Sequence, residues 1–247
     1  METLAGRNSV FEALRAGRRT IEQISIAQGA AQRGVLAEIV ALAAKRSIPV
    51  RQVRRQELDR RAGEIKHQGV IAQVASYPYA STDDMLALAA LRSEQPFLLA
   101  LDLVQDPQNL GTLVRACEAV GVHGILLPGR RSVQVTPAVS RASDGAVEHL
   151  LIASVGNLTN ALNALKKQGV WVVGIEEHPR SQDYRQVDLN MPLALVLGSE
   201  GRGMRRLVAD TCDLLISLPM RGEINSLNVA SAGAVVLYHA LAARTER

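Results

Sequence analysis

The chain is poor in aromatic residues, has two cysteines and lacks a long apolar run, and each shortage removes a class of protein. Aromatic residues make up 3% of 247, and Phe11 is the only one in the first 75 positions. The N-terminal third therefore has no platform on which unpaired bases could stack, so a nucleic-acid contact there reads backbone shape. Cys117 and Cys212 lie far apart, outside any Cys-x-x-Cys or Cys/His cluster. That excludes a disulfide framework and a structural zinc site, and both read as reduced core or near-core thiols. None of the five histidines falls in a ligand cluster, so no metal is expected. The longest uncharged apolar stretch, 229–243, contains Ser231 and His239 and falls short of the roughly 20 residues that span a bilayer. The first residues carry charge where a signal peptide needs an apolar stretch. A soluble, cytoplasmic protein without membrane contact is expected.

A hydrophobic content of 47% is enough to bury a full core, and the length suits one medium and one small domain. Net charge is +4, but residues 1–75 carry 13 Lys/Arg against 7 Asp/Glu, so the basic character sits in the N-terminal third. Arg54, Arg55, Arg60 and Arg61 crowd there with Lys45, Arg46, Arg51 and Lys66. A solvated helix face and a phosphate-contacting RNA surface both fit such a cluster.

Helical periodicity over 9–16, 35–46 and from Gln56, with strand patterns at 21–27, 49–53 and 69–75, predicts a small α/β module over 1–75. Residues 76–95 read as a linker with a mildly acidic, helix-like stretch after Ser81. From Pro96 short apolar runs alternate with helical segments: FLLALDLV (97–104), GILLP (124–128), WVVGIE (171–176), LALVLG (193–198) and LLISLP (214–219). Runs without polar alternation fit strands covered on both faces, hence a mostly parallel sheet over 96–247 whose ligands lie beyond the carboxyl ends of its strands.

Three strings stand at such ends. LDLVQDPQNLGTLVRA (101–116) turns from strand to helix, with Asn109 expected as the N-cap and Arg115 further along. LALVLGSEGRGM (193–204) enters a glycine-rich turn holding Glu200, and matches neither the P-loop nor the dinucleotide pattern. LLISLPMRGEINSLNVASAGAVVLYHA (214–240) leaves a strand at Pro219 and opens a long helix through Asn225, Ser226 and Asn228. Each alone is compatible with plain capping or turn formation; the helix after Asn228 offers almost no polar face, which predicts burial on all sides and a homodimer formed through it.

In this order the strings resemble the three motifs of the SpoU (TrmH-type) family of RNA ribose 2′-O-methyltransferases. GRNSVFEAL near the start and KHQGVIAQV (66–74) are similar to the RlmB-type subgroup, whose substrate is a guanosine of 23S ribosomal RNA. The resemblance implies a ribosomal-protein-like RNA-binding domain, a trefoil-knotted methyltransferase domain, S-adenosylmethionine as cofactor and structured RNA as partner. It also implies catalytic roles for Asn109, Arg115, Glu200, Ser226 and Asn228, and a cofactor cleft built by Leu197, Gly198, Gly201, Ile216, Leu218, Met220, Ser226 and Leu227. Ala230 stands where the family often has serine. A guanidinium stays charged at neutral pH, so Arg115 reads as a phosphate clamp and alkoxide stabiliser oriented by Asn109 and Glu200. The same reaction on a transfer-RNA guanosine or another ribosomal nucleotide, and a catalytically silent RNA-binding assembly factor on the same fold, are the alternatives.

Overall fold

A computed structural model describes residues 1–31, 33–223 and 226–245. The expectation for Asn225 lies outside the described residues. The chain forms two compact units, 1–78 with 135–149, and 79–134 with 150–247.

In the first unit β1 (Glu2–Ala5), α1 (Arg7–Ala16), β2 (Ile21–Ala27), α2 (Val35–Lys45), β3 (Val50–Val53), α3 (Arg55–Ala62) and β4 (Val70–Val74) follow one another. The strands pair in the order β1-β4-β2-β3. Alternation in the strands divides two cores: Leu4, Ile24, Ile26, Val70, Ala72 and Val74 meet α1 and α2, while Ala5, Ala27 and Ile71 meet Leu58 and Ala62 of α3. The strand β1 was not expected, because ETLA shows no alternating pattern. Residues 135–149 also join this unit through a short helix, Pro137–Ala142, and a 3-10 turn, Ala146–His149. Arg19 (0% side-chain exposure) lies 2.9 Å from both Glu148 and Glu2. Its guanidinium also lies over the Tyr77 ring.

The second unit starts at α4 (Thr82–Leu91), closed by a capping box in which Ser81 and Asp84 satisfy each other's backbone groups. The stretch expected as a linker is thus partly a helix, and Met85 buries its side chain in the hydrophobic core of this unit. Then follow β5 (Phe97–Leu101), α5 (Pro107–Ala119), β6 (Gly124–Pro128), the two short 135–149 elements of the first unit, β7 (Leu151–Val155), α7 (Leu158–Lys167) and β8 (Trp171–Ile175). After these come β9 (Gln182–Asp183), β10 (Leu193–Leu197), α8 (Arg206–Thr211), β11 (Leu214–Ser217) and α9 (Val229–Thr245), the helix α6 being Pro137–Ala142. All seven strands are parallel, in the order β7-β6-β5-β10-β8-β11-β9.

Both sheet faces are apolar. Leu98, Ala100, Leu126, Ala194 and Val196 pack with Met85, Leu158, Leu162, Leu165 and Val208 from α4, α7 and α8. Helices α5 and α9 pack on each other, and Gly233 makes that possible, since a Cβ there would stand 2.5 Å from Leu113 and 2.7 Å from Leu197. Arg244 fastens the end of α9 by donating to the carbonyls of Gln95, Pro96 and Met191 at the opposite edge of the sheet from the carboxyl ends. Helix α9 is not buried on all sides: Val229, Gly233, Val236, Leu237 and Ala240 face inward, whereas Val235 and Tyr238 are 41% and 54% exposed. No helix among the described residues is long and apolar enough to cross a membrane.

Candidate active site at the carboxyl edge of the parallel sheet

Strand β10 lies between β5 and β8, so the turns that follow these strands meet at one edge, together with the turn after β11. The glycine-rich turn closes on itself. Ser199 and Gly203 exchange backbone hydrogen bonds of 3.0 Å in both directions. A Cβ on Gly198 would stand 2.2 Å from the carbonyl carbon of Gly203, which leaves no room for any other residue.

Two acids, neither singled out from the sequence, pin this turn from its flanking strands. Asp102, fully buried at the end of β5, accepts from the backbone NH and the Nε of Arg205 at 2.7 and 2.8 Å. Glu176, at the end of β8, accepts from the backbone NH of Met204 at 2.9 Å. Their signal in the sequence is an acid directly after an apolar strand run, a common enough pattern to pass unnoticed.

The first string starts its helix one turn earlier than expected. Asp106 is the N-cap, accepting from the Gln108 NH at 3.1 Å, and Pro107 fixes the first helical residue. Asn109 lies within the first turn, nearly buried, and its Oδ1 accepts from Asn228 Nδ2 at 2.9 Å. Asn228 Nδ2 donates also to Glu200 Oε1 at 2.6 Å, while Asn228 Oδ1 accepts from the NH groups of Ala230 and Ser231 at the start of α9. One amide thus joins all three strings and caps a helix. The cap requires oxygen on that side, which leaves the two amide hydrogens for Asn109 and Glu200.

A cleft of about 700 Å³ opens beside this junction. Of the residues expected around a cofactor, Leu197, Gly198, Gly201, Leu218, Met220, Ser226 and Leu227 line it, and so do Glu200 and Asn228. Ile216 does not; it is fully buried in β11, and Ser217 is the lining residue there. Asn109 and Arg115 stand outside the lining. Arg115 is exposed on α5, six residues beyond Asn109 and so separated from it by about 120° around the helix axis. The lining includes Glu176, Glu177 and Glu200 against Arg202 alone, so the cleft favours a cationic ligand. Ser199, Gly203, Val229 and Ala232 complete surfaces that sequence reasoning left out.

Arg54, Arg55, Arg60 and Arg61 are exposed at and along α3 of the other unit. Arg61 is paired with Glu57 at 2.6 Å, the i,i+4 partner on the same helix. No ion pair holds Arg54, Arg55 or Arg60 among the described residues. The two thiols sit where expected, Cys117 buried and Cys212 partly so, and burial pushes the Cys212 thiol up to about 12. The described residues contain no group of three or more His, Cys, Asp or Glu side chains that could hold a metal.

Residues 96–238 match the model of the SpoU rRNA Methylase family, and residues 3–80 match that for RNA 2′-O ribose methyltransferase substrate binding. The Bacillus subtilis (strain 168) protein YacO, named as a TrmH family tRNA/rRNA methyltransferase, is 45% identical over 94% of this chain and 92% of its own length. The AdoMet-bound rRNA methyltransferase from Sinorhizobium meliloti is similar with a TM-score of 0.77 and 27% identity, covering 97% of this chain and 86% of that one. The TrmH/SpoU tRNA modifying enzyme of A. aeolicus has a TM-score of 0.55 and 28% identity, and covers 61% of this chain and 75% of its own. These neighbours are of the trefoil-knot class, whose α/β, mostly parallel architecture the chain shares.

Proposed function

The chain belongs to the SpoU rRNA Methylase family, and from that premise we propose that it methylates the ribose 2′-hydroxyl of a guanosine in 23S ribosomal RNA, using S-adenosylmethionine. The observation that carries the reading is the Asn109–Asn228–Glu200 junction beside an anionic cleft. The cleft suits the cofactor in size and chemistry. Pockets for ligands of this class measure roughly 300–1,000 Å³; Leu218, Met220 and Leu227 offer apolar cover, and the acids suit a sulfonium. A Cβ on Gly201 would meet nothing within 4 Å, so the turn has open space before it.

When bound, the cofactor supplies a methyl group already activated on a positively charged sulfur. The protein holds the accepting oxygen in line with it and stabilises the charge left when the hydroxyl proton departs. Asn228 fixes Glu200 and Asn109 relative to one another. In this reading Arg115 grips the phosphate beside the target ribose, and Ser226 completes the wall on the cofactor side. The N-terminal unit, whose Arg54, Arg55 and Arg60 are in no ion pair among the described residues, holds structured RNA by its backbone, and a cytoplasmic enzyme belongs to the same reading.

The ribosomal substrate is favoured by coverage. The similar rRNA methyltransferase spans both units of this chain, whereas the similar tRNA enzyme spans 61% of it. The homodimer belongs to the same reading: Val235 and Tyr238 leave an apolar stripe on α9 that a two-fold pair would cover twice. Tyr238→Lys then yields monomers in sedimentation experiments, and a monomeric wild type overturns the pairing. Calorimetric titration with S-adenosylmethionine, followed by mapping of the modified nucleotide on unmodified 23S rRNA and on tRNA, tests the function. Arg115→Ala is expected to abolish transfer and leave cofactor affinity within a few-fold.

A further inference from the structure

Charge counted along the chain puts the basic character in the N-terminal third, yet the catalytic unit presents a small cationic platform of its own. The turn after β6 carries Arg130 and Arg131, both exposed and neither in an ion pair among the described residues. It is a braced turn. Gln134 Nε2 donates to the carbonyls of Pro128, Ser132 and Val133 at 2.9, 3.3 and 3.3 Å.

The same turn is laced to the one after β5. Val133 NH and Ser132 Oγ both donate to the Val104 carbonyl, at 2.9 and 3.0 Å, and Gln105 Nε2 donates to the Arg131 carbonyl at 3.4 Å. Arg131 and Leu103 are each held in the left-handed region, at φ 59° and 63°, which a residue with a side chain rarely adopts. Such conformations persist only where the surroundings over-determine them. The β5 turn leads straight into Asp106 and Asn109 of α5, so the platform is fixed rigidly beside the first motif. Its acids are engaged elsewhere: Asp102 with Arg205, Asp106 with the start of α5. Two free guanidinium groups on a strained, cross-braced scaffold, without acids to neutralise them, are suited to an external polyanion.

We propose that Arg130 and Arg131 grip the RNA phosphates that flank the target nucleotide, as the catalytic unit's own substrate contact. This rests on the RNA ribose methyltransferase reading above and adds a surface outside the N-terminal unit. It divides the work: the N-terminal unit captures the RNA, and the braced turn sets the backbone beside the reacting ribose.

The test uses the full chain, unmodified 23S rRNA transcript and a salt series. Replacing both residues by alanine is expected to raise KM for the RNA about tenfold near 100 mM salt and to lower the salt slope of binding by about 1–2, the loss of two phosphate contacts. Cofactor affinity by calorimetry stays within twofold, and Arg130→Lys with Arg131→Lys restores most of the slope. A double alanine variant with unchanged slope and KM overturns the proposal, and so does one that loses cofactor affinity, which would make the turn a buttress of the cleft. A wild type without methyl transfer to either 23S rRNA or tRNA overturns the methyltransferase reading instead.

Discussion

Asn228 Nδ2 stands 2.9 Å from Asn109 Oδ1, across 119 residues of sequence, while the oxygen of the same amide caps α9. The first and third motifs are thereby joined through a residue that also determines where a helix starts. Replacing it separates the two roles. Asn228→Asp keeps the cap oxygen, loses both donors and sets a second carboxylate beside Glu200; Asn228→Ala loses cap and donors together. Urea denaturation should find the alanine variant less stable by about 1 kcal/mol and the aspartate variant close to wild type, with methyl transfer lost in both. An aspartate variant of normal activity would show that the junction is only a cap.

The glycines of the second motif answer to different constraints. Gly198 has no room for a Cβ, whereas Gly201, at φ 73°, faces open space. Gly198→Ala should abolish calorimetric binding of S-adenosylmethionine because the turn must open. Gly201→Ala meets only the backbone penalty, about 1–2 kcal/mol, and should retain measurable binding.

Reading 96–247 as a separable domain predicts that the catalytic half folds alone when 1–75 are removed. The structure argues otherwise, since 135–149 buries Val139, Val147 and Glu148 within the N-terminal unit. Burial outweighs the attraction of Arg19 and raises the Glu148 carboxyl above its ordinary range. Arg19→Ala removes the guanidinium on which that acid depends, and denaturation should show a loss of roughly 3–5 kcal/mol, the cost of leaving a buried charge unpaired. A loss under about 1 kcal/mol would mean that the pair is solvated.

His123 gives the catalytic unit a pH dependence. Its Nδ1 accepts from the Phe97 NH at 3.0 Å, so the ring is neutral, and Nε2 donates to Glu94 at 2.9 Å. Burial is the largest cause holding its pKa below the ordinary 6.5. The unfolded chain then takes up the proton first, so the stability is full above about pH 6.5 and declines as pH falls through that value. His123→Gln should flatten this part of a pH series of melting temperatures; an unchanged profile would place the titration elsewhere.

The catalytic sheet was legible because parallel strands covered on both faces are written as apolar runs, and GILLP falls on β6 residue for residue. Strand β7 was missed: at the sheet edge LIASV buries only Ile152 and Ala153 fully, leaves Ser154 exposed, and so shows neither a continuous apolar run nor a period of two. Helix α4 passed as linker although Ser81 and Asp84 spell a capping box, because the hydrophobic face that follows is weakly periodic. The three motifs were found as strings, and their meeting at one edge follows from β5, β10 and β11 all pointing the same way. Asp102, Glu176 and the braced Arg130–Arg131 turn were not legible, since each acts through contacts with residues far along the chain.

The central claim, methyl transfer to a ribose oxygen of RNA at this cleft, is tested most directly by nucleoside mass spectrometry. The purified chain is incubated with methyl-labelled S-adenosylmethionine and unmodified 23S rRNA, and the product is digested to nucleosides. The account predicts label in 2′-O-methylguanosine, and none when Asn228→Asp replaces the wild type. Label on a nucleobase, or no label on this RNA or on tRNA, would contradict it.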